Sequence, residues 1–294
     1  MTITSTSHRP LIIGSLVADV LLQVPHLPQR QQDINIAAQQ IRSGGCAYNV
    51  YEAVCCCGGH PHFTGVIGTG AFAAALRQLV GHDPNMTLFA SDEENGCCYC
   101  LIEPDGERTF LCVRGGEYRF QAQWLSRLDL DPFGWLYLCG IDLEEAQNEC
   151  LVRFASASGL RLMLAPGPRL DHIQEQIEQL MRLHPILHLN EQEALAMSRQ
   201  NDPQKAAIAL CAQGAEKVII TLGSRGSLAC DGNTLIAHAA RTVKVTDTIG
   251  AGDAHAGACL HALSQQLPLD KMLELADHTA EKALRCAGAL RHER

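Results

Sequence analysis

Asp247-Thr248-Ile249-Gly250-Ala251-Gly252-Asp253 is the stretch on which the reading of this chain turns. Two acids bracket a small-residue turn, and Ala254-His255-Ala256-Gly257-Ala258-Cys259-Leu260-His261-Ala262-Leu263 continues as a helix of mostly small side chains. A Gly-Ala-Gly turn opening a helix aims backbone N–H groups outward, and the helix dipole adds partial positive charge there. Gly250, Ala251 and Gly252 thus form a candidate anion hole, with Asp253 at its mouth. A carboxylate beside a bound phosphate is placed to take a proton from an attacking hydroxyl, which is the requirement of phosphoryl transfer.

Short apolar runs recur upstream of this turn, at residues 11–14, 63–68, 135–140, 161–165, 186–190 and 217–223. Helical patterns lie between most of them, over 47–57, 71–79, 144–158, 171–183, 191–198 and 203–213. Apolar strands alternating with amphipathic helices predict an α/β fold with a mostly parallel central sheet and helices on both faces. Ligands of such sheets bind beyond the carboxyl ends of the strands, where Gly14, Gly68, Asn190 and Gly223 fall. Two stretches break the alternation. Residues 33–41 lack a helical stripe, and 96–103 with 108–114 reads as a hairpin across Pro104-Asp105-Gly106-Glu107. These extended pieces are expected to form a small β-sheet lid, with ordinary edge strands of the main sheet as the other possibility. The expected organisation is a single domain over residues 1–294 with lid segments at about 15–42 and 96–118 inserted in it.

Composition sets the limits of the chemistry. A hydrophobic content of 47% and a charged content of 19% describe a globular chain. The net charge of −9 argues against a nucleic-acid partner, although a local turn and a few basic residues can still hold an anion. No apolar run reaches the length of a membrane span, and Met1–Pro10 lacks the basic-then-apolar order of a leader, so a cytoplasmic protein is expected. Fourteen cysteines at irregular spacing, with Cys97 and Cys100 as a lone C-x-x-C, read as reduced thiols used as small apolar side chains.

Four further segments carry candidate chemistry. In Ser43-Gly44-Gly45-Cys46-Ala47-Tyr48-Asn49-Val50, paired glycines permit close backbone approach, and Asn49 follows one turn into a helix. Asp19, shortly after the first strand, can accept from two hydroxyls, or can be an ordinary solvated loop acid. Asn190-Glu191-Gln192-Glu193 stands at a strand end and also satisfies the pattern of an N-cap with first-turn acids. Thr221-Leu222-Gly223-Ser224-Arg225-Gly226 is a strand followed by a glycine turn.

With these motifs in this order, the chain resembles the ribokinase-like (PfkB) sugar kinases, and uncharacterised bacterial sugar kinases are the relatives the motifs suggest. Residues 247–253 match the family's D-T-x-G-A-G-D signature without a mismatch, and Gly44, Gly45 and Asn49 match its G-G-x-x-x-N segment. The resemblance implies a three-layer ribokinase-like fold and ATP-dependent phosphorylation of a hydroxymethyl group on a sugar or nucleoside, with Asp253 as base. It implies that Asp19, Gly44, Gly45 and Asn49 face the sugar, and that Asn190, Thr221, Gly223, Gly226 and Arg169 lie along the nucleotide. Glu193 would position Mg2+ through water, and Asp247 would stand near a monovalent cation such as K+. A homodimer through the lid is expected on the same ground.

Two departures from the family pattern stand out. Ala165 replaces an acid in Ala165-Pro166-Gly167-Pro168-Arg169, which weakens the case for a keto-deoxy-sugar-acid substrate, and few residues follow Cys286-Ala287-Gly288-Ala289. Arg114 could favour an anionic substrate or be a solvated edge residue. The rival reading is a non-catalytic sugar- or nucleotide-binding regulatory protein on a kinase fold. A dehydrogenase is disfavoured, because no G-x-G-x-x-G follows the first strand.

Overall fold

Successive side chains of a strand point to opposite faces, so short runs that are apolar along their length bury both faces of one sheet, and that is how this chain uses them. The computed structural model describes residues 9–286 and 288–292. Met1–His8, read above as lacking a leader, lie outside the described residues, as do Ala287 and the last two residues of the carboxyl-terminal tail. Thirteen strands are described: β1 Arg9–Ile13, β2 Val17–Gln23, β3 Ala38–Gly44, β4 His62–Thr69, β5 Met86–Glu94, β6 Cys97–Ile102, β7 Arg108–Val113, β8 Phe133–Cys139, β9 Arg161–Ala165, β10 Ile186–Asn190, β11 Lys217–Thr221, β12 Ser227–Cys230 and β13 Leu235–His238.

Nine of them form the main sheet in the order β13-β12-β11-β10-β9-β8-β1-β4-β5. Pairing is parallel from β11 through β5, and antiparallel where β12 and β13 extend it. Leu11 and Ile13 of β1 join the core on one face, and Ile12 joins the core on the other. Helices cover both faces, so the three-layer α/β expectation is met. Among the described residues no helix is long and apolar enough to cross a membrane.

The remaining four strands form a separate sheet in the order β3-β2-β6-β7. The β6–β7 hairpin is antiparallel in the predicted register region, turning at Gly106 with φ 89°. This smaller sheet fits the lid expected from residues 33–41 and the hairpin. Cys97 and Cys100 both lie on β6, and their odd separation sends the side chains to opposite faces of the strand, so they do not converge on one ion.

Several local readings are corrected. Edge strand β5 and the pair β12–β13 were not anticipated; β5 is largely half-exposed and lacks the continuous apolar run of a central strand. The helix expected over 144–158 begins only at Glu149, after a short helix Gly140–Leu143 and a turn Ala146–Asn148. Buried Asn148 causes the break: it accepts from the Phe120 N–H at 2.9 Å and donates to the carbonyls of Tyr118 and Asp142, both at 2.6 Å. Asp19 is no loop acid, because it lies in the middle of β2 between Arg42 and Cys98.

Candidate active site

The anion turn is built by backbone conformation and close packing. Gly250 caps the helix Ala251–Ser264 with φ 72°, in the left-handed region, and a Cβ there would stand 2.6 Å from the Cβ of Ala289. A Cβ at Gly252 would meet nothing within 4 Å, so that face of the turn looks into open space. The Ala251 N–H turns back to the Thr248 carbonyl at 3.4 Å, whereas the other first-turn amides have no acceptor within the helix itself.

Small residues then set where a second helix, Cys46–Cys56, crosses the first. A Cβ on Gly257 would lie 2.6 Å from that of Ala53 and 2.7 Å from the Val50 carbonyl oxygen, so only glycine permits this approach. The close crossing brings Asn49 and Asp253 together, with Asn49 Nδ2 donating to Asp253 Oδ2 at 2.8 Å. Asn49 Oδ1 in turn accepts from Arg291 Nη1 at 3.1 Å, and Arg291 Nη2 donates to the Ser43 carbonyl. Burial pushes the Asp253 carboxyl up to about 6, against the Asn49 hydrogen bond, the Arg291 charge and Cys46, which favour ionisation. Burial likewise lifts Asp19 to about 6; Arg291 opposes the rise and Asp253 adds to it.

The paired glycines have separate reasons. Gly45 takes φ 98°, and its Cβ would sit 2.5 Å from the Ser15 carbonyl oxygen. Gly44 lies beside Asp19, whose Oδ2 would be 1.9 Å from an added Cβ. Asp19, Gly44, Gly45, Asn49 and Asp253 therefore gather around the end of β3 and the two helix starts.

On the other side of Asp253 a cavity of ≈ 210 Å³ is lined by Tyr137, Cys139, His188, Asn190, Glu193 and Gly252, among others. A larger one of ≈ 520 Å³ is lined by Gly223, Gly226, Val243, Val245, Leu284 and neighbours. Both touch Thr221 and Gly252, so the two cavities meet at the anion turn. Asn190 and Glu193 form a reciprocal capping box at the first cavity: Asn190 Oδ1 accepts from the Glu193 N–H at 2.8 Å, and Glu193 Oε2 accepts from the Asn190 N–H at 3.0 Å. The cap reading and the ligand reading of these letters are thus compatible, since the box orients a carboxylate that burial holds above its usual range.

Other candidates stand elsewhere. Both oxygens of Asp247 are occupied: Arg108 of β7 pairs with Oδ1 at 2.8 Å, the Ile249 N–H donates to Oδ1 at 2.6 Å, and the Gly288 N–H donates to Oδ2 at 2.6 Å. Asp247 therefore clasps the lid, the anion turn and the carboxyl-terminal tail. Arg169 pairs with Glu144 at 3.0 Å, while its neighbours Gly167 and Pro168 line the smaller cavity. Arg114 also pairs with Glu144, and with Glu145 at 3.1 Å, so it is neither a solvated edge residue nor free for an anion.

Sequence reasoning missed Arg291, which reaches Asn49 from 242 positions away, and no local pattern marks it. It also missed Asp142, a fully buried acid that accepts from the Ser15 N–H at 2.9 Å under the site. Its place just after β8 was the available signal, because strand ends carry sites in such sheets.

Residues 8–293 match the pfkB family carbohydrate kinase description. The chain is 31% identical to the uncharacterised sugar kinase YegV of Escherichia coli K12 over 283 residues, 94% of this chain and 88% of that protein. In three dimensions it is similar to the ribokinase of Thermotoga maritima, with a TM-score of 0.81 at 21% identity, covering 96% of this chain and 95% of the other. The ribokinase of Arabidopsis thaliana, solved with ribose and ATP, gives a TM-score of 0.76 at 19% identity, covering 96% and 94%.

Proposed function

Since the chain belongs to the pfkB family of carbohydrate kinases and is an ATP-dependent carbohydrate kinase, we propose that it phosphorylates a hydroxymethyl group of a sugar or nucleoside by direct in-line transfer. The observation that carries this reading is the placement of Asp253, hydrogen-bonded by Asn49 on one side and walling the cavity at the anion turn on the other. Asp253 accepts the hydroxyl proton as the oxygen attacks the γ-phosphate, and its elevated protonation range brings it nearer to working pH than an exposed aspartate. Amides of the turn at Gly250 and Gly252, joined by Ala251 where its long 3.4 Å contact to the Thr248 carbonyl gives way, stabilise charge on the transferring group, a contribution on the order of a few kcal/mol per donor.

Asp19 accepts from sugar hydroxyls, Gly44 and Gly45 leave room for the ring, and Asn49 orients Asp253. The adenosine part of ATP occupies the ≈ 520 Å³ cavity along Thr221, Gly223 and Gly226. Its apolar wall of Val243, Val245 and Leu284 suits a base. Asn190 and Glu193 stand where phosphates would cross to Asp253, and an oriented carboxylate reached through water fits Mg2+, which keeps most of its hydration. That ion supplies neutralisation of charge on the phosphate oxygens. The Arg108–Asp247 pair holds β7 against the anion turn and so favours a closed, water-poor site.

The lid belongs to the same kinase domain, and a homodimer through it is part of this reading. Edge strand β7 leaves Phe110, Leu111 and Val113 more than half exposed, and an exposed apolar edge invites a second strand.

ADP release with MgATP and a panel of sugars, sugar acids and nucleosides, by the wild type and D253N, tests the reading. A sugar-dependent signal lost in D253N is expected, and equal signals from the two proteins would overturn it.

A further inference from the structure

Behind the catalytic carboxylate lies a group of side chains that phosphate transfer does not use. His255 and Cys259 are one helical turn apart on the helix Ala251–Ser264, so their side chains share a face. His188 of β10 meets them from the sheet. His188 Nε2 is 2.9 Å from His255 Nδ1, and Cys259 Sγ is 3.5 Å from the same nitrogen. All three donor atoms lie within 4.8 Å of one another, and all three residues are buried. Tetrahedral coordination with ordinary bond lengths to zinc sets donors roughly 3.3 Å apart for N···N and roughly 3.6 Å for N···S. The two separations from His255 Nδ1, 2.9 Å and 3.5 Å, lie close to those spacings.

The surroundings fit as well. Asp277 Oδ1 stands 3.3 Å from His255 Nε2, on the ring edge away from the cluster. A carboxylate on that edge favours the tautomer with the ring proton on Nε2, in which Nδ1 would face His188 and Cys259 as a metal-binding histidine does. His238 Nδ1 holds the other Asp277 oxygen at 2.5 Å, so the carboxylate is fixed in place. His188 lines the ≈ 210 Å³ cavity shared with Asp253, which gives an entry path and room for a water as the fourth ligand.

We propose that His188, His255 and Cys259 form a site for a borderline-soft divalent cation of the zinc type, distinct from any magnesium that accompanies ATP. Two imidazoles and a thiolate select zinc over magnesium, which prefers oxygen donors. Binding replaces the Cys259 S–H proton by the metal and releases that proton to solvent. The bound ion joins the middle of β10 to the helix that carries Asp253, two residues before His255.

The full-length protein, stripped with a chelator, would be titrated with cobalt(II) as a spectroscopic probe and then with zinc in competition. One cobalt per chain is expected, with the visible absorption of a tetrahedral ion and a thiolate-to-cobalt band in the near ultraviolet. C259S should lose the thiolate band, H188Q should weaken binding at least tenfold, and a C97S/C100S protein should behave as the wild type. A wild type without the thiolate band would overturn the proposal, as would C259S retaining the band or C97S/C100S losing it. Should C259S fail to fold, H188Q decides, since that residue sits at the cavity edge; unchanged cobalt affinity in H188Q would refute the site.

Discussion

Asn49 and Asp253, 204 positions apart in the chain, share a 2.8 Å hydrogen bond in which the amide donates to the carboxylate. The bond favours the ionised acid, while burial favours the protonated one, and burial prevails to hold Asp253 at about 6. A base must be ionised, so kcat/KM for the sugar should fall as pH drops through about 6. N49A removes a group that favours ionisation, so its acid limb should move to higher pH. A limb at the wild-type position, measured over a full pH profile, would separate Asn49 from the acid.

Replacing the proposed base tests the chemistry. D253N keeps the side-chain volume and should lower kcat by about 10²- to 10⁴-fold or more, the usual worth of a positioned general base. Sugar affinity, followed by calorimetry, should stay within a few-fold of the wild type. Substantial turnover in D253N would sink the assignment.

Gly44 and Asp19 should behave as one unit. Hydrogen bonds to a charged group contribute about 1.5–3 kcal/mol, so D19A should weaken sugar binding about 10- to 100-fold with little change for ATP. G44A would place a Cβ 1.9 Å from the present position of Asp19 Oδ2 and push the carboxylate aside, producing a similar loss. The double variant should be no weaker than D19A, because the clash disappears with the acid. Additive losses would show that Gly44 acts by another route.

The clasp predicts a coupling between lid and turn. Arg108 and Asp247 are both nearly buried, and removing one member of such a pair is costly. R108A should raise the sugar KM at least tenfold and increase sugar-independent ATP hydrolysis, since the lid would close less often. Coupled assays with and without sugar read both quantities; neither changing would leave the pair without a role in closure.

The lid edge makes a prediction about assembly. Leu111 and Val113 are two residues apart on β7, so they share one face of the strand. The wild type should sediment as a dimer and L111E/V113E as a folded monomer. A monomeric wild type at micromolar concentration would refute assembly through the lid.

Letters adjacent in the chain carried much of this protein's reading. Strand and helix periodicities predicted the layered sheet, because a segment buried on both faces must be apolar along its length. The run 247–253 displayed turn, helix start and both acids together, because an anion hole at a helix N-terminus is a local structure. Edge strand β5 escaped notice for the converse reason: half of its side chains meet solvent, and its letters resemble those of a loop.

Only the tertiary structure decided which charges face one another. It brought Arg291 to Asn49, gave Asp247 to Arg108, and tied Arg114 and Arg169 to Glu144. It also turned His188 toward His255 and Cys259. Such pairings depend on helices crossing at Gly257 and on strands meeting from distant parts of the chain, and no local pattern of residue types encodes a distance between elements that far apart.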